Sequence, residues 1–172
     1  PVKEVNQLTQ QAALERQQQL TKPTGSLGQL ETIAIQLAGL QSSVRPNIDK
    51  VHITVFAADH GIVEEGVSAF PQAVTAEMIR NFSRGGAAIS VLAKENNAQL
   101  SVINMGTVSQ LEALDNLEDS RIASGTSNFS KLVAMSEQQC QQAMLVGREH
   151  INRIFKSGTQ LFIGGEMGIG NT

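Results

Sequence analysis

The chain has 172 residues, a net charge of −3, 41% hydrophobic and 17% charged residues. That balance is globular and excludes a disordered chain, and the acidic surplus argues against nucleic acid as a partner, because neutralising phosphates needs a basic face. No apolar stretch approaches the roughly 20 residues that span a bilayer, and the opening Pro1-Val2-Lys3-Glu4 is polar, unlike a secretory leader. One cysteine, Cys140, leaves no internal disulfide and no cysteine-rich zinc site. With three scattered histidines besides, no metal and no other cofactor is expected, and the chain reads as a cytoplasmic protein. There is no Trp or Tyr and only six Phe, so the core must be aliphatic and no aromatic platform for single-stranded nucleic acid exists.

Residues 2–20 lack Gly and Pro, and Val5, Leu8, Ala12, Ala13, Leu14 and Leu20 predict an amphipathic helix. Lys22-Pro23-Thr24-Gly25 breaks it. Ser26 then reads as an N-cap with Gln29 completing a capping box, and Leu30, Ile33, Ala34, Leu37 and Ala38 form one helical face. A polar loop with Pro46 follows. Residues 51–58 are apolar through most of their length, which predicts a buried central strand of a parallel sheet. Helices are predicted over 73–82 and 87–94, a second strand over 100–105, and a short third strand over 121–123. Ser136 and Gln139 form a second capping box. The helix it opens ends at Lys156-Ser157-Gly158, a cation and a glycine where its last carbonyls lie. Residues 160–163 are the last predicted strand.

Strands alternating with helices predict a three-layer α/β/α fold with a mainly parallel, Rossmann-like sheet. A helical segment over 1–45 precedes an α/β part over 46–172. Such sheets bind ligands beyond the carboxyl ends of their strands, which nominates the segments after Ala58, Met105 and Ile163. The chain stops at Asn171-Thr172, where a helix should begin with Asn or Thr as its cap. It therefore reads as part of a longer protein, incomplete at its carboxyl end.

The last segment, Gly164-Gly165-Glu166-Met167-Gly168-Ile169-Gly170-Asn171-Thr172, is the richest in chemistry. Its glycines let backbone approach a ligand and let successive N–H groups form an anion nest. Glu166 is placed to bond a sugar hydroxyl or a protonated ring nitrogen. A glycine-rich turn with a solvated glutamate is the plain alternative. The spacing does not follow the dinucleotide pattern G-x-G-x-x-G, which weighs against a nucleotide-dependent oxidoreductase. Residues 22–28, KPTGSLG, lack the order of a phosphate loop and read as a helix–loop–helix corner. Asp59 and His60 lie at a strand end, and Asp59 reads as a brace for the neighbouring loop rather than as part of a catalytic triad. In residues 66–82, Phe70 and Met78 either line a pocket for a flat apolar ligand or belong to ordinary core.

Taken together, KPTGSLGQLETIAIQLAGLQ at 22–41, AADHGIVEEGVSAFPQAVTAEMIRNFSRGGAAISVLA at 57–93, INMGT at 103–107 and GGEMGIGNT at 164–172 resemble one family. It is the nicotinate-nucleotide–dimethylbenzimidazole phosphoribosyltransferase family, matched over its N-terminal half. The resemblance implies transfer of phosphoribose from nicotinate mononucleotide to 5,6-dimethylbenzimidazole, giving nicotinate and α-ribazole phosphate for the cobalamin lower ligand, without a cofactor. It implies that Glu166 supports catalysis on the ribose and nicotinate side. Phe70, Met78, Gly165, Met167, Gly168, Asn171 and Thr172 are the implied substrate-binding positions. The general-base glutamate and a phosphate-holding lysine belong to the family's second half, so the chain alone is expected to be inactive. At Phe70 and Met78 some members carry polar residues. Family members form homodimers. The alternative reading is a non-catalytic α/β module that binds an aromatic base or a nucleotide.

Overall fold

The computed structural model describes residues 4–171. The chain divides into two compact units, one ending at Ile48 and the other beginning at Asp49.

The first unit is a helical hairpin, α1 (Gln7–Gln19) against α2 (Gln29–Gln41). Asn6 caps α1 by accepting the Thr9 N–H at 3.0 Å. The capping box expected at Ser26 does not form. Gly28 stands at the start of α2 and offers no side-chain cap. Glu31, in the first turn, reaches back into the loop instead: its carboxylate accepts the Leu27 N–H at 3.2 Å and pairs with Lys22 at 2.7 Å. That bond ties the loop to the helix without capping the helix's own N–H groups, and the helix N-terminus favours the carboxylate's charge. The Lys22 ammonium, ahead of the Leu27 N–H, holds the Glu31 carboxyl below its ordinary range.

In the second unit, β1 (Val51–Ala58) is followed by a 3-10 turn (Gly61–Glu65), α3 (Ala73–Arg84), α4 (Ala88–Glu95) and β2 (Gln99–Gly106). Then come β3 (Leu117–Asp119), α5 (Glu137–Lys156) and β4 (Leu161–Met167). The strands form one parallel sheet in the order β3-β2-β1-β4. Helices flank it on both sides, so the α/β architecture expected from alternating strands and helices is the one observed. Alternate β1 residues point to opposite faces. Val55 and Ala57 join Ile79, Phe82, Ala87 and Val102 in the apolar core on the α3 side. His52, Thr54 and Phe56 face α5, where His150 meets all three. The capping box at the start of α5 is present, with Ser136 accepting from the Gln139 N–H and the Gln139 side chain accepting from the Ser136 N–H.

Two strands depart from expectation. The third lies at Leu117–Asp119, not at 121–123. Its register with Val102, Ile103 and Asn104 follows from Asn116, which turns the chain at φ 64° and accepts the Val102 N–H at 2.8 Å. Arg121 is engaged elsewhere, donating to the backbone carbonyls of Thr107, Val108 and Ser109. The last strand runs on to Met167, so Gly164, Gly165 and Glu166 are strand residues paired with Thr54, Val55 and Phe56. Glycine weakens a strand in isolation, but here a fully formed neighbour supplies the ladder.

Candidate active site

β1 is the central strand of the crossover. The chain steps from it to β2 and β3 on one side, then returns across the sheet to β4 on the other. Such a switch point opens a crevice beyond the carboxyl ends of the two diverging strands. Here those ends are Ala58-Asp59-His60 after β1 and residues 168–171 after β4.

Register decides what faces the crevice. Glu166 pairs with Phe56, and Met167 pairs with Ala57. In-register neighbours of parallel strands point the same way, so Glu166 lies on the α5 face and Met167 on the α3 face. Glu166 is exposed, and its carboxylate accepts a hydrogen bond from the Asn171 side-chain amide. Met167 packs against the apolar core, as does Met78 from α3. Phe70 stands 64% exposed on the loop before α3. The sheet thus separates Glu166 from Met78 and Met167. Gly165 pairs with Val55 inside β4. Thr172 lies outside the described residues.

The turn after β4 is closely held. The Ile169 N–H donates to the buried Thr75 Oγ1 at 3.1 Å, and the Asn171 N–H donates to the Gly168 carbonyl at 3.1 Å. Gly168 is buried, and a Cβ there would collide with the Ala58 carbonyl oxygen. Glycine at 168 is required by this close approach of two strand ends.

Asp59 is the hub of the β1 end and is 2% exposed. Its N–H donates to the Gly106 carbonyl at 2.9 Å, its carbonyl accepts the Thr126 N–H at 3.0 Å, and its Oδ2 accepts the Val108 N–H at 2.7 Å. The bracing role read from the sequence is the geometry observed. Asn104 adds to it, accepting the Gly106 and Thr107 N–H groups at 3.1 Å each. Nearby, Lys131 first of all lowers the Glu64 carboxyl, and the Asn128 amide first of all lowers that of Glu65. These contacts tie the 3-10 turn to residues 128–131.

Beside this hub, on the α5 face, lies a cavity of about 210 Å³ whose lining includes Ala58, His60, Gly106, Thr126, Gln139 and Ala143. Its walls are largely apolar, with His60, Thr126 and Gln139 the polar side chains among these. An apolar recess with a few convergent polar groups is the usual form of a small-molecule site. Sequence reasoning gave no site role to His60, Thr126, Gln139 or Arg121. The available signal was the Asp-His-Gly directly after a buried strand, where the fold puts ligands. Among the described residues, no group of three or more His, Cys, Asp or Glu could hold a metal ion, and no helix is long and apolar enough to cross a membrane.

A family model described as phosphoribosyltransferase matches residues 2–172. A nicotinate-nucleotide–dimethylbenzimidazole phosphoribosyltransferase of Pseudomonas aeruginosa (strain UCBPP-PA14) is 59% identical over 160 residues, 93% of this chain and 46% of the relative. That of Pseudomonas fluorescens (strain SBW25) is 55% identical over 172 residues, 100% of this chain and 49% of the relative. Among solved structures, CobT from Thermus thermophilus matches with a TM-score of 0.90 at 41% identity, over 95% of this chain and 49% of that one. The chain spans about half the length of the curated relatives it matches.

Proposed function

This chain belongs to the phosphoribosyltransferase family, and we propose that it contributes the ribose-binding side of an enzyme making α-ribazole phosphate. The donor is nicotinate mononucleotide and the acceptor 5,6-dimethylbenzimidazole, the substrates in the names of its relatives. A ring nitrogen of the acceptor attacks the ribose anomeric carbon, the carbon–nitrogen bond to nicotinate breaks, and the acceptor N–H gives its proton to a base. The observation that carries this reading is Glu166, exposed at the carboxyl end of β4 next to β1 and bonded to the Asn171 amide.

In this proposal Glu166 accepts hydrogen bonds from ribose hydroxyls and favours the positive charge that builds on the ribose as nicotinate departs. Gly165, Gly168, Asn171 and Thr172 are the positions proposed to receive the donor phosphate, the glycines letting it approach the backbone closely. Phe70, exposed on the loop before α3, is the apolar wall proposed for the flat acceptor, with Met78 and Met167 packed in the core on the α3 face. The general base comes from the half of the family's length that this chain does not cover. The protein acts in the cytoplasm as a homodimer.

Two measurements test this. The chain alone, given both substrates, forms no α-ribazole phosphate, and the chain joined to the part of its Pseudomonas fluorescens relative that it lacks restores turnover. Turnover by the chain alone at the joined protein's rate would require a base within these residues. Ligand binding without turnover in the joined protein would leave a non-catalytic binding module. In the joined protein, Phe70→Ala raises the acceptor KM several-fold and changes the donor KM less. An acceptor KM equal to wild type would remove Phe70 from the site.

A further inference from the structure

The imidazole of His60 stands between two features of the carboxyl edge. It lines the cavity on the α5 face. It also occupies the space where side chains at the glycines of the β4 turn would go. A Cβ on Gly168 would fall 2.9 Å from both Cδ2 and Nε2 of His60. A Cβ on Gly170 would fall 3.3 Å from the His60 Cβ and 2.7 Å from Val63 Cγ2. The turn therefore rests on His60 at van der Waals distance, and its glycines are what make that approach possible.

The backbone under the ring is immobilised on both sides. Asp59 is bonded to Gly106, Val108 and Thr126, as described. The Gly61 N–H donates to the Thr126 carbonyl at 3.0 Å, and the His60 carbonyl accepts the Gln72 side-chain amide at 3.3 Å. The ring itself takes part in no side-chain hydrogen bond among the described residues. Its contribution to the turn is shape: a flat, rigid body with few rotamers, fixed at its base and packed against backbone that carries no Cβ.

We infer that His60 is a positioning residue for residues 168–171, holding the turn whose Asn171 side chain fixes Glu166 where the donor's ribose is received. The donor-binding part of this inference rests on the function proposed above; the structural part does not. Asp59 anchors the strand end, His60 transmits that anchor to the β4 turn, and the turn places the Asn171 side-chain amide on Glu166. A disturbance at His60 therefore reaches Glu166 through the turn, independently of what the ring meets in the cavity. An imidazole acting through its nitrogens would behave differently, because only a polar replacement would preserve it.

The experiment has two arms. In the chain as it stands, amide hydrogen exchange at Ile169 and Asn171 is expected to accelerate at least tenfold in His60→Ala and to stay within threefold of wild type in His60→Phe. Exchange at Val102, in the core of β2, serves as the reference for global stability. In the joined protein, His60→Ala is expected to raise the donor KM at least tenfold with the acceptor KM within threefold, and His60→Phe to recover the donor KM to within threefold. Exchange at 169 and 171 within threefold of wild type in a folded His60→Ala chain would overturn the inference. So would a His60→Phe protein as impaired as His60→Ala, which would assign the role to the ring nitrogens. His60→Leu is judged by the same limits if His60→Ala does not fold. A wild-type joined protein without phosphoribosyl transfer would refute the proposed function, and the exchange arm would still decide the place of His60.

Discussion

Glu166→Gln in the joined protein is expected to lower kcat by about 10²-fold, equivalent to about 2.7 kcal/mol of transition-state stabilisation. The substitution keeps the shape, and the glutamine carbonyl still accepts the hydrogen bond that the Asn171 amide now gives to the carboxylate. Only the charge goes. Glu166 is exposed and carried on a paired strand, so folding does not depend on that charge. If Glu166 only organises the turn, losing the charge costs about 1 kcal/mol or less of stability and almost nothing in rate. Steady-state kinetics beside a thermal unfolding curve separates the two. A kcat within twofold of wild type, with or without a lower Tm, would remove Glu166 from the chemistry.

Acid destabilisation beginning below pH 6.5 is the second large effect expected, and it comes from two buried histidines between β1 and α5. His150 on α5 is 2% exposed and His52 on β1 is 7% exposed, with their rings edge to face at 5.6 Å. The His150 Nδ1 lies 2.9 Å from the Arg153 guanidinium, which can only donate, so Nδ1 is bare and Nε2–H donates to Thr54 Oγ1 at 2.8 Å. A second proton on His150 would point at a cation. Glu118, 3.8 Å away, pulls the other way. The Nδ1 of His52 is 3.1 Å from Gln99 Oε1, and its Nε2 is 2.9 Å from Ser101 Oγ. Burial is the foremost cause lowering both histidines below their ordinary value, and Arg153 lowers both further.

Folding therefore favours the neutral rings. Above about pH 6.5 both states are neutral and the stability is intact. As pH falls below that value the unfolded chain takes up protons that the folded chain refuses. Stability is then lost down to the folded-state pKa, at up to about 1.4 kcal/mol per histidine per pH unit. Urea unfolding of the chain between pH 7.5 and 5 should show this slope, and His52→Gln with His150→Gln should flatten it. Constant stability across that range, or an unchanged slope in the double variant, would refute the account. The window is free of the strongest carboxylate, because Arg80 holds Glu112 down at about 2.

What could be read from residues in order was whatever depends on neighbours in the chain. The apolar run at Val51–Ala58 is a strand with the bounds expected, the helices Ala73–Arg84 and Ala88–Glu95 carry their periodic faces, and Ser136 with Gln139 caps α5 as a box. Propensity, period and capping act within a few residues, so they leave a mark in sequence. Short words such as Gly-Gly-Glu-Met-Gly marked family membership as well. The words did not say why each residue is there.

Tertiary structure decided the rest, through contacts between segments distant along the chain. Ser26 caps nothing, because α2 starts after Gly28 and Glu31 reaches back to Lys22 and the Leu27 N–H. Gly164 and Gly165, turn residues by propensity, became strand because β1 offered Thr54 and Val55 as partners. The third strand formed at Leu117–Asp119 because Asn116 set the register with β2. Glu166 and Met167 are adjacent in sequence, yet the pairing with Phe56 and Ala57 sends one to the candidate crevice and the other to the core. His60 meets Gly168, and His52 meets His150, only after the sheet has brought their strands and helix together. A sequence states the alternation of a strand; which face is the site depends on which strand lies beside it, and that is a property of the assembled sheet.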